Sequence, residues 1–134
     1  NHLMLIDVTT FGLTGRQAAG ALRECGITLN KNTIPFDQNT PLVTSGLRLG
    51  TPAITTLGMG AEEMEEIAAI IKHALDNTKP GVVESGANAG KPSKINYTID
   101  ATALDTAKAR VKELLDRYPV YPELDLAFLQ EHFT

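Results

Sequence analysis

The order of apolar and polar positions in the first part of the chain predicts a strand followed by a helix. Leu3 to Val8 is a nearly continuous apolar run, typical of a strand buried on both faces. The stretch Thr14-Gly15-Arg16-Gln17 has the form of a capping box, in which the first and last side chains bond each other's backbone amides. Apolar residues then recur at helical spacing until Gly26, which suits the left-handed end of a helix.

The middle of the chain predicts shorter elements around an irregular loop. Prolines and amide side chains are too frequent in the stretch from Asn30 to Pro41 for regular structure. A Thr followed by a Pro is typical of a helix start, with Thr as the cap. The predicted elements are a strand at Ile27–Leu29, an ordered loop at Asn30–Pro41, a strand at Ser45–Leu49, and a helical turn at Ala53–Leu57 after Thr51-Pro52.

Two longer helices are predicted in the second half. One covers Ala61 to Asn77, with an apolar stripe and four glutamates that we interpret as a solvated face without chemistry. The residues from Thr78 to Asn96 are rich in Gly, Lys, Pro, Ser and Asn and predict an exposed connection, flexible over about 78–99. Asp100 is predicted to cap a helix over Ala101–Tyr118 that turns Leu115 toward the core, and residues 121–126 are predicted to add a final helical turn.

These elements predict a single α/β (α+β) domain over residues 1–134, with helices packed on one face of a small sheet. A chain of 134 residues can bury one core, and 43% hydrophobic with 21% charged residues is typical of a globular protein. Because the sequence opens in an apolar run without an initiator Met, we expect it to be a segment of a larger protein.

Composition excludes several function classes. A net charge of −4 and a pI of about 5.3 argue against a nucleic-acid partner, which needs clustered cations. Cys25 is the only cysteine, so no disulfide forms within the chain, and a buried thiol is expected. No apolar run approaches the roughly 20 residues that span a bilayer, so no membrane partner is expected. A reducing cytoplasm fits these features.

Arg48 is the residue that most clearly suggests chemistry. It lies in Gly46-Leu47-Arg48-Leu49-Gly50, and its planar guanidinium can bind a carboxylate through two parallel hydrogen bonds. The glycines would let backbone and ligand approach closely. The alternative is an arginine at a strand edge that pairs with a surface carboxylate.

Other polar residues leave their alternatives open. Asn32 could read the edge of a heterocycle with its amide, or it could satisfy local backbone groups within a connector. The three histidines stand at no metal-ligand spacing, so no metal site is predicted. Ser45 has no candidate base nearby in the sequence, and nucleophilic catalysis is therefore not supported.

Two longer motifs carry a resemblance to a known family. Leu29-Asn30-Lys31-Asn32-Thr33-Ile34-Pro35-Phe36-Asp37 and Pro41-Leu42-Val43-Thr44-Ser45-Gly46-Leu47-Arg48-Leu49-Gly50-Thr51-Pro52-Ala53-Ile54-Thr55-Thr56 closely resemble the C-terminal region of serine hydroxymethyltransferase. The likeness extends from Asn1-His2-Leu3 into the acidic helix. That family consists of fold-type I pyridoxal-phosphate enzymes, which interconvert serine and glycine and pass a one-carbon unit to tetrahydrofolate.

The resemblance implies roles for two residues and partners for the chain. Arg48 matches the arginine that binds the carboxylate of the amino-acid substrate, and Asn32 matches a position whose amide contacts the folate pteridine. The chain would correspond to the C-terminal small domain, joined to a large N-terminal domain that holds pyridoxal phosphate, within a homodimer. Leu57 departs from the family, in which many members carry a basic residue before the glycine.

The family's Schiff-base lysine motif is absent from this sequence, since Lys31, Lys72 and Lys79 stand in other contexts. We therefore expect no catalytic residue and no transferase activity in the isolated chain. Two alternatives remain: a free-standing module that binds a small carboxylate for regulation, and a structural fragment whose functional sites are left half-built.

Overall fold

The computed structural model describes residues 2–124 and 126–133 and contains helices and strands in mixed order. The strands are β1 (Leu3–Asp7), β2 (Asn30–Asn32), β3 (Gly46–Gly50), β4 (Thr78–Val82) and β5 (Pro92–Ile99). The helices are α1 (Gly15–Glu24), α2 (Pro52–Thr56), α3 (Ala61–Asp76), α4 (Ala101–Arg117) and α5 (Leu126–Phe133), with a 3-10 turn at Thr9–Phe11. The predicted α/β class is confirmed.

The first sheet has three antiparallel strands in the order β1-β3-β2. Its central strand β3 confirms the strand predicted at Ser45–Leu49 within one residue. The strand predicted at Ile27–Leu29 is wrong, because the pairing with β3 begins only at Asn30. The predicted loop is therefore shortened at its start, since its first three residues form β2.

The second sheet is a two-stranded antiparallel hairpin of β4 and β5. It occupies most of the region from Thr78 to Asn96 that we predicted as an exposed connection, and that prediction is wrong for residues 78–82 and 92–96. Proline and glycine at positions 80 and 81 disfavour a strand locally. The register shifts between Pro80 and Val82, which is how the irregular residues are accommodated.

The predicted capping box of α1 is confirmed, and it also joins the helix to the hairpin. The Thr14 amide donates to Gln17 Oε1 (2.9 Å), and the Gln17 amide donates to Thr14 Oγ1 (3.2 Å). The Gln17 side chain, fully buried, further donates from Nε2 to the carbonyls of Ser93 (2.7 Å) and Asn96 (2.8 Å). Thr14 Oγ1 donates to the Lys94 carbonyl (2.9 Å). One local motif therefore fixes a long-range contact.

Helices α3 and α4 pack against each other and bury the centre of the core. Two glutamates predicted to form a solvated face bond across this contact. Glu66 receives two hydrogen bonds from Arg110 (2.7 and 2.8 Å), and Glu63 Oε1 accepts from the Tyr118 hydroxyl (2.7 Å). The fully buried core residues include Val8, Leu22, Leu47, Ile70, Leu75 and Cys25, as expected for the lone thiol.

Three further predictions need correction or completion. Leu115 is 47% exposed, so it does not pack into the core of this chain. The Thr51 side chain makes no capping hydrogen bond, although the following proline does occupy the first turn of α2. In the tail, residues 121–124 precede a helix that begins at Leu126, and Asp125 of the predicted turn lies outside the described residues. None of the helices described is long and apolar enough to cross a membrane.

Strand β1 differs most from its prediction. It pairs with β3 at one edge, yet Leu3, Met4 and Leu5 are 46%, 47% and 49% exposed. The expectation of a strand buried on both faces is therefore wrong for this chain. Apolar residues at such positions indicate a surface that the 134 residues leave uncovered.

Candidate functional site

Arg48 lies in the middle of the central strand β3, opposite Leu5 of β1 and Asn30 of β2. Its neighbour Leu47 is fully buried, and alternate residues of a strand point to opposite faces. Arg48 therefore points away from the core and is exposed. The strand places a cation on the outer face of the sheet while its neighbours anchor the sheet to the core.

The contacts of Arg48 differ from those of an arginine at a strand edge that pairs with a surface carboxylate. Its strand is central, not an edge, and its Nη2 donates to the amide oxygen of Asn30 at 3.1 Å. Within residues 2–124 and 126–133, no carboxylate forms an ion pair with it. A guanidinium carries five donors, so Arg48 retains most of its capacity for an anionic ligand.

Asn30 is a site residue that sequence reasoning missed. It is separated from Arg48 by 18 positions and meets it only because β2 pairs with β3. An amide oxygen can orient a guanidinium without neutralising it. The signal in the sequence was the recurrence of asparagine at positions 30 and 32, which places both side chains on one face of a strand.

Asn32 lies on the same face of the sheet as Arg48, two positions along β2 from Asn30. It is half-buried, and its Nδ2 donates to the Thr33 carbonyl at 2.7 Å. This local hydrogen bond is the contact expected of a connector residue. Its amide oxygen forms no hydrogen bond to any described residue, so the side chain retains an acceptor for a further partner.

The loop after β2 is organised by Asp37, a second residue that sequence reasoning missed. Its carboxylate accepts hydrogen bonds from Ser45 Oγ (2.6 Å), Ser45 N (2.9 Å), Asn39 N (2.8 Å) and Ile34 N (3.2 Å). These bonds, the Ser45 hydroxyl first, lower the pKa of Asp37 to about 2. Ser45 is buried and serves this loop, which fixes the approach to β3.

The glycines on either side of Arg48 are explained by packing within the chain. A Cβ at Gly46 would lie 2.5 Å from Ile34 Cγ2 and 2.9 Å from the Asn32 carbonyl oxygen. A Cβ at Gly50 would lie 2.6 Å from the carbonyl oxygen of His2. The expectation that these glycines serve the approach of a ligand is therefore not needed to account for either position.

Comparison with known proteins gives the chain its relatives. The family model described as "Serine hydroxymethyltransferase" matches residues 1–71, which hold all of the site described above. A serine hydroxymethyltransferase of Treponema pallidum is 50% identical over 134 residues, 100% of this chain and 23% of the relative. Those of Salinispora tropica and Cutibacterium acnes are each 45% identical, over 94% and 95% of this chain.

The chain belongs to the serine hydroxymethyltransferase family. It spans about a quarter of the length of the curated relatives it matches and corresponds to their C-terminal part. The resemblance found in the sequence is therefore confirmed at the level of the family.

The exposed strand β1 lines an open apolar groove of about 910 Å³. Asn30 and Arg48 also line this groove, so the polar residues of the site border an apolar surface. Its apolar lining includes Leu3, Met4, Ile6, Ile27, Leu29, Leu49, Ile54, Met64, Ile67, Val111 and Leu115. The groove explains why several positions predicted to be buried are exposed in this chain.

The lysines do not fit the pyridoxal-phosphate site that the family implies. Every lysine is exposed, whereas a lysine that forms a Schiff base is desolvated or lies beside another cation. Lys72 and Lys112 form ion pairs with the carboxylates one turn later, and Lys31 donates to the Pro41 carbonyl. The residues of this chain therefore do not form the lysine part of such a site.

The histidines are dispersed, and the described residues contain no group of three or more His, Cys, Asp or Glu that could hold a metal ion. His132 stacks on Phe128 with ring centroids 4.2 Å apart. His73 buries its Nε2 without a hydrogen-bond partner among the described residues. The polar residues of the outer sheet face therefore remain the candidate site.

Proposed function

We propose that this chain is the C-terminal domain of a pyridoxal-phosphate-dependent serine hydroxymethyltransferase. The observation that carries the proposal is Arg48, exposed on the outer face of the sheet and held by an amide, with no carboxylate partner among the described residues. We assign to it the carboxylate of serine or glycine. A bidentate arginine would fix the orientation of the amino acid, which alignment of the reacting bond requires.

Asn32 is proposed to contact the pteridine of tetrahydrofolate. Its place on the same sheet face as Arg48 and its available amide oxygen support this role. Asp37 holds the loop that follows and therefore positions Asn32 indirectly. Substrate and one-carbon acceptor would be bound by residues of one small sheet.

Pyridoxal phosphate supplies the electron sink for the bond cleavage when it is bound. Since the lysines of this chain do not fit that group, we propose that the remainder of the polypeptide holds it. The open groove beside Arg48 supports a site built from two parts of the polypeptide. The chain spans only about a quarter of the length of its relatives, and the apolar residues of β1 are exposed in it. The remainder of the same polypeptide is the proposed occupant, in a cytoplasmic homodimer.

Substitution of Arg48 tests the assignment in the complete protein. We expect Arg48→Gln to lower kcat/KM for serine by about a hundredfold to a thousandfold, since loss of a paired charge costs about 3–4 kcal/mol. Arg48→Lys should recover only part of this loss, because it keeps the charge without the fork. Arg117→Gln, at an exposed cation on α4, is the matched control. Unchanged kcat/KM in Arg48→Gln would exclude the assignment.

The proposed role of Asn32 has a separate readout. Asn32→Ala should raise KM for tetrahydrofolate about tenfold, a loss of about 1.4 kcal/mol for one hydrogen bond. Binding of serine measured without folate should stay unchanged. An equal loss of serine binding would indicate a disturbed sheet and would contradict the folate assignment.

The isolated chain distinguishes an enzyme segment from a free-standing module. We expect it to form no glycine from serine when mixed with pyridoxal phosphate and tetrahydrofolate, and to show no saturable absorbance band of an internal aldimine. Calorimetry with serine and glycine adds the second arm. Tight binding without turnover would favour the regulatory module, and robust turnover would contradict the proposed division of the site.

A further inference from the structure

A second cleft, of about 640 Å³, lies where α1, β2 and β5 meet. Asn30 lines both this cleft and the groove beside Arg48, but the cations of the cleft have no role in the function proposed above. Helix α1 contributes Arg16, Gly20 and Arg23, β2 contributes Lys31, and the hairpin contributes Tyr97. This volume falls within the range of small-molecule sites, which is about 300–1,000 Å³. Three cations therefore border one concave surface in a chain whose net charge is −4.

The two arginines stand seven positions apart on α1 and so lie on one face of the helix, with their Cα atoms about 10 Å apart. Both are exposed, and within the described part of the chain neither forms an ion pair. Lys31 donates to the Pro41 carbonyl at 3.0 Å, and its other donors form no hydrogen bond to a described residue. The positive charge of the cleft is consequently not neutralised by ion pairs among the residues that the structure describes.

Tyr97 of the hairpin packs on α1 at Gly20, which lies between Arg16 and Arg23 in the sequence of the helix. A Cβ at Gly20 would lie 2.6 Å from the Tyr97 ring, so glycine at this position lets the ring pack directly on the helix. The Tyr97 hydroxyl donates to Glu24 Oε1 at 2.5 Å. Partial burial, together with this hydrogen bond, raises the pKa of Tyr97 to about 12, so the phenol remains neutral. The Glu24 carboxylate, next to Arg23 in sequence, therefore accepts a hydrogen bond from Tyr97.

The residues of the cleft lie both inside and outside the segment that the family model matches. Its cations lie in the segment that the family model matches, residues 1–71, while Tyr97 lies beyond that segment, in the hairpin. We propose that this cleft binds a small organic anion that carries at least two phosphate or carboxylate groups. Arginine forks bind either group through paired hydrogen bonds, and the spacing of the two arginines suits separated charges on one ligand.

Calorimetry on the protein at its full natural length tests the proposal with two probes, inorganic triphosphate and citrate. We expect at least one probe to bind saturably and to weaken as salt is added. The probe that binds more tightly identifies phosphate or carboxylate as the preferred group. Absence of saturable binding by both probes would overturn the proposal.

Variants locate the binding within the molecule. The double variant Arg16→Gln with Arg23→Gln should weaken binding at least tenfold, and Lys31→Gln should weaken it by a smaller factor. The control is Lys79→Gln with Lys91→Gln, which removes the same charge from exposed positions outside the cleft and should change binding less than twofold. Thermal midpoints confirm that each variant is folded. Equal weakening by both double variants would show unspecific attraction and refute the site.

Discussion

The junction between α1 and the hairpin and the Arg48 face of the first sheet treat their polar groups in opposite ways. At the junction, Gln17 is fully buried, and its amide satisfies the Thr14 amide and two hairpin carbonyls. On the sheet face, Arg48 is exposed and has an amide oxygen as its hydrogen-bond acceptor. Buried polar groups must be paired within the fold, whereas exposed donors can be left for a ligand.

The two regions also differ in whether residues of this chain cover them. The junction is packed and hydrogen-bonded within the chain, whereas the sheet face lies beside an uncovered apolar groove. The junction joins two regions about 76–80 positions apart and needs nothing beyond the chain. The sheet face borders an apolar groove that includes the half-exposed Leu3 and Met4 of β1. Substitution of Gln17 at the junction should therefore change stability, and substitution of the exposed Arg48 side chain on the sheet face should change function.

Replacing Gln17 by Leu should have the largest effect on stability. The substitution keeps the side-chain volume but leaves the Ser93 and Asn96 carbonyls and the Thr14 amide without their partner. We expect the free energy of unfolding to fall by about 2–4 kcal/mol, the cost of orphaned buried groups. Urea unfolding followed by circular dichroism measures it. Gln38→Leu, at an exposed glutamine, is the control, and an equally small loss in both would refute the role of the junction.

Replacing Gly46 by Ala should have the next largest effect, since this glycine lies where the sheet and its loop meet. The new Cβ would meet Ile34 Cγ2 and two backbone oxygens, those of Asn32 and Ile6, at 2.5 to 3.1 Å. We expect a loss of about 1–3 kcal/mol, typical of overpacking. The matched control is Gly60→Ala, because the nearest atom to a Cβ at Gly60 is a side-chain oxygen at 3.6 Å. A larger loss at Gly60 would contradict this account.

The local signals were readable from the sequence because each depends on neighbouring residues. The capping box at Thr14 and Gln17, and the cap at Asp100, are set by hydrogen bonds over three positions, and both are confirmed. The hairpin was missed because Pro80 and Gly81 disfavour a strand, while the pairing of β4 with β5 and the contact with Gln17 stabilise it from a distance.

The site was predictable in part for the same reason. Arg48 stood out through its residue type and its neighbours, but its partner Asn30 is 18 positions away and depends on strand register. The groove could not be predicted, because an apolar run such as β1 reads as buried whether the chain itself or another part of the protein covers it. Sequence pattern indicates that a surface must be covered without indicating by what.

Asp37, which holds the loop beside the sheet face, should make the stability of the fold depend on pH. Its pKa is lowered to about 2 in the folded chain, below the ordinary value of 3.8, so its carboxylate stabilises the fold above that ordinary value. The contribution should disappear as the pH falls from about 4 toward 2. The difference in unfolding midpoint between wild type and Asp37→Asn should therefore be constant near neutral pH and fall steeply as the pH drops from about 4 to 2. A difference as large at pH 2 as at pH 7 would contradict a role for the charged form.

Arg48→Gln should have the smallest effect on stability of all these variants, although we expect it to have a large effect on catalysis. Its hydrogen bond to Asn30, the one it forms with residues 2–124 and 126–133, is exposed, so the free energy of unfolding should change by at most about 0.5 kcal/mol. The measurement is urea unfolding of the variant beside Gln17→Leu under the same conditions. If Arg48→Gln lost as much stability as Gln17→Leu, Arg48 would belong to the framework of the fold, and its loss of activity would no longer indicate a substrate contact.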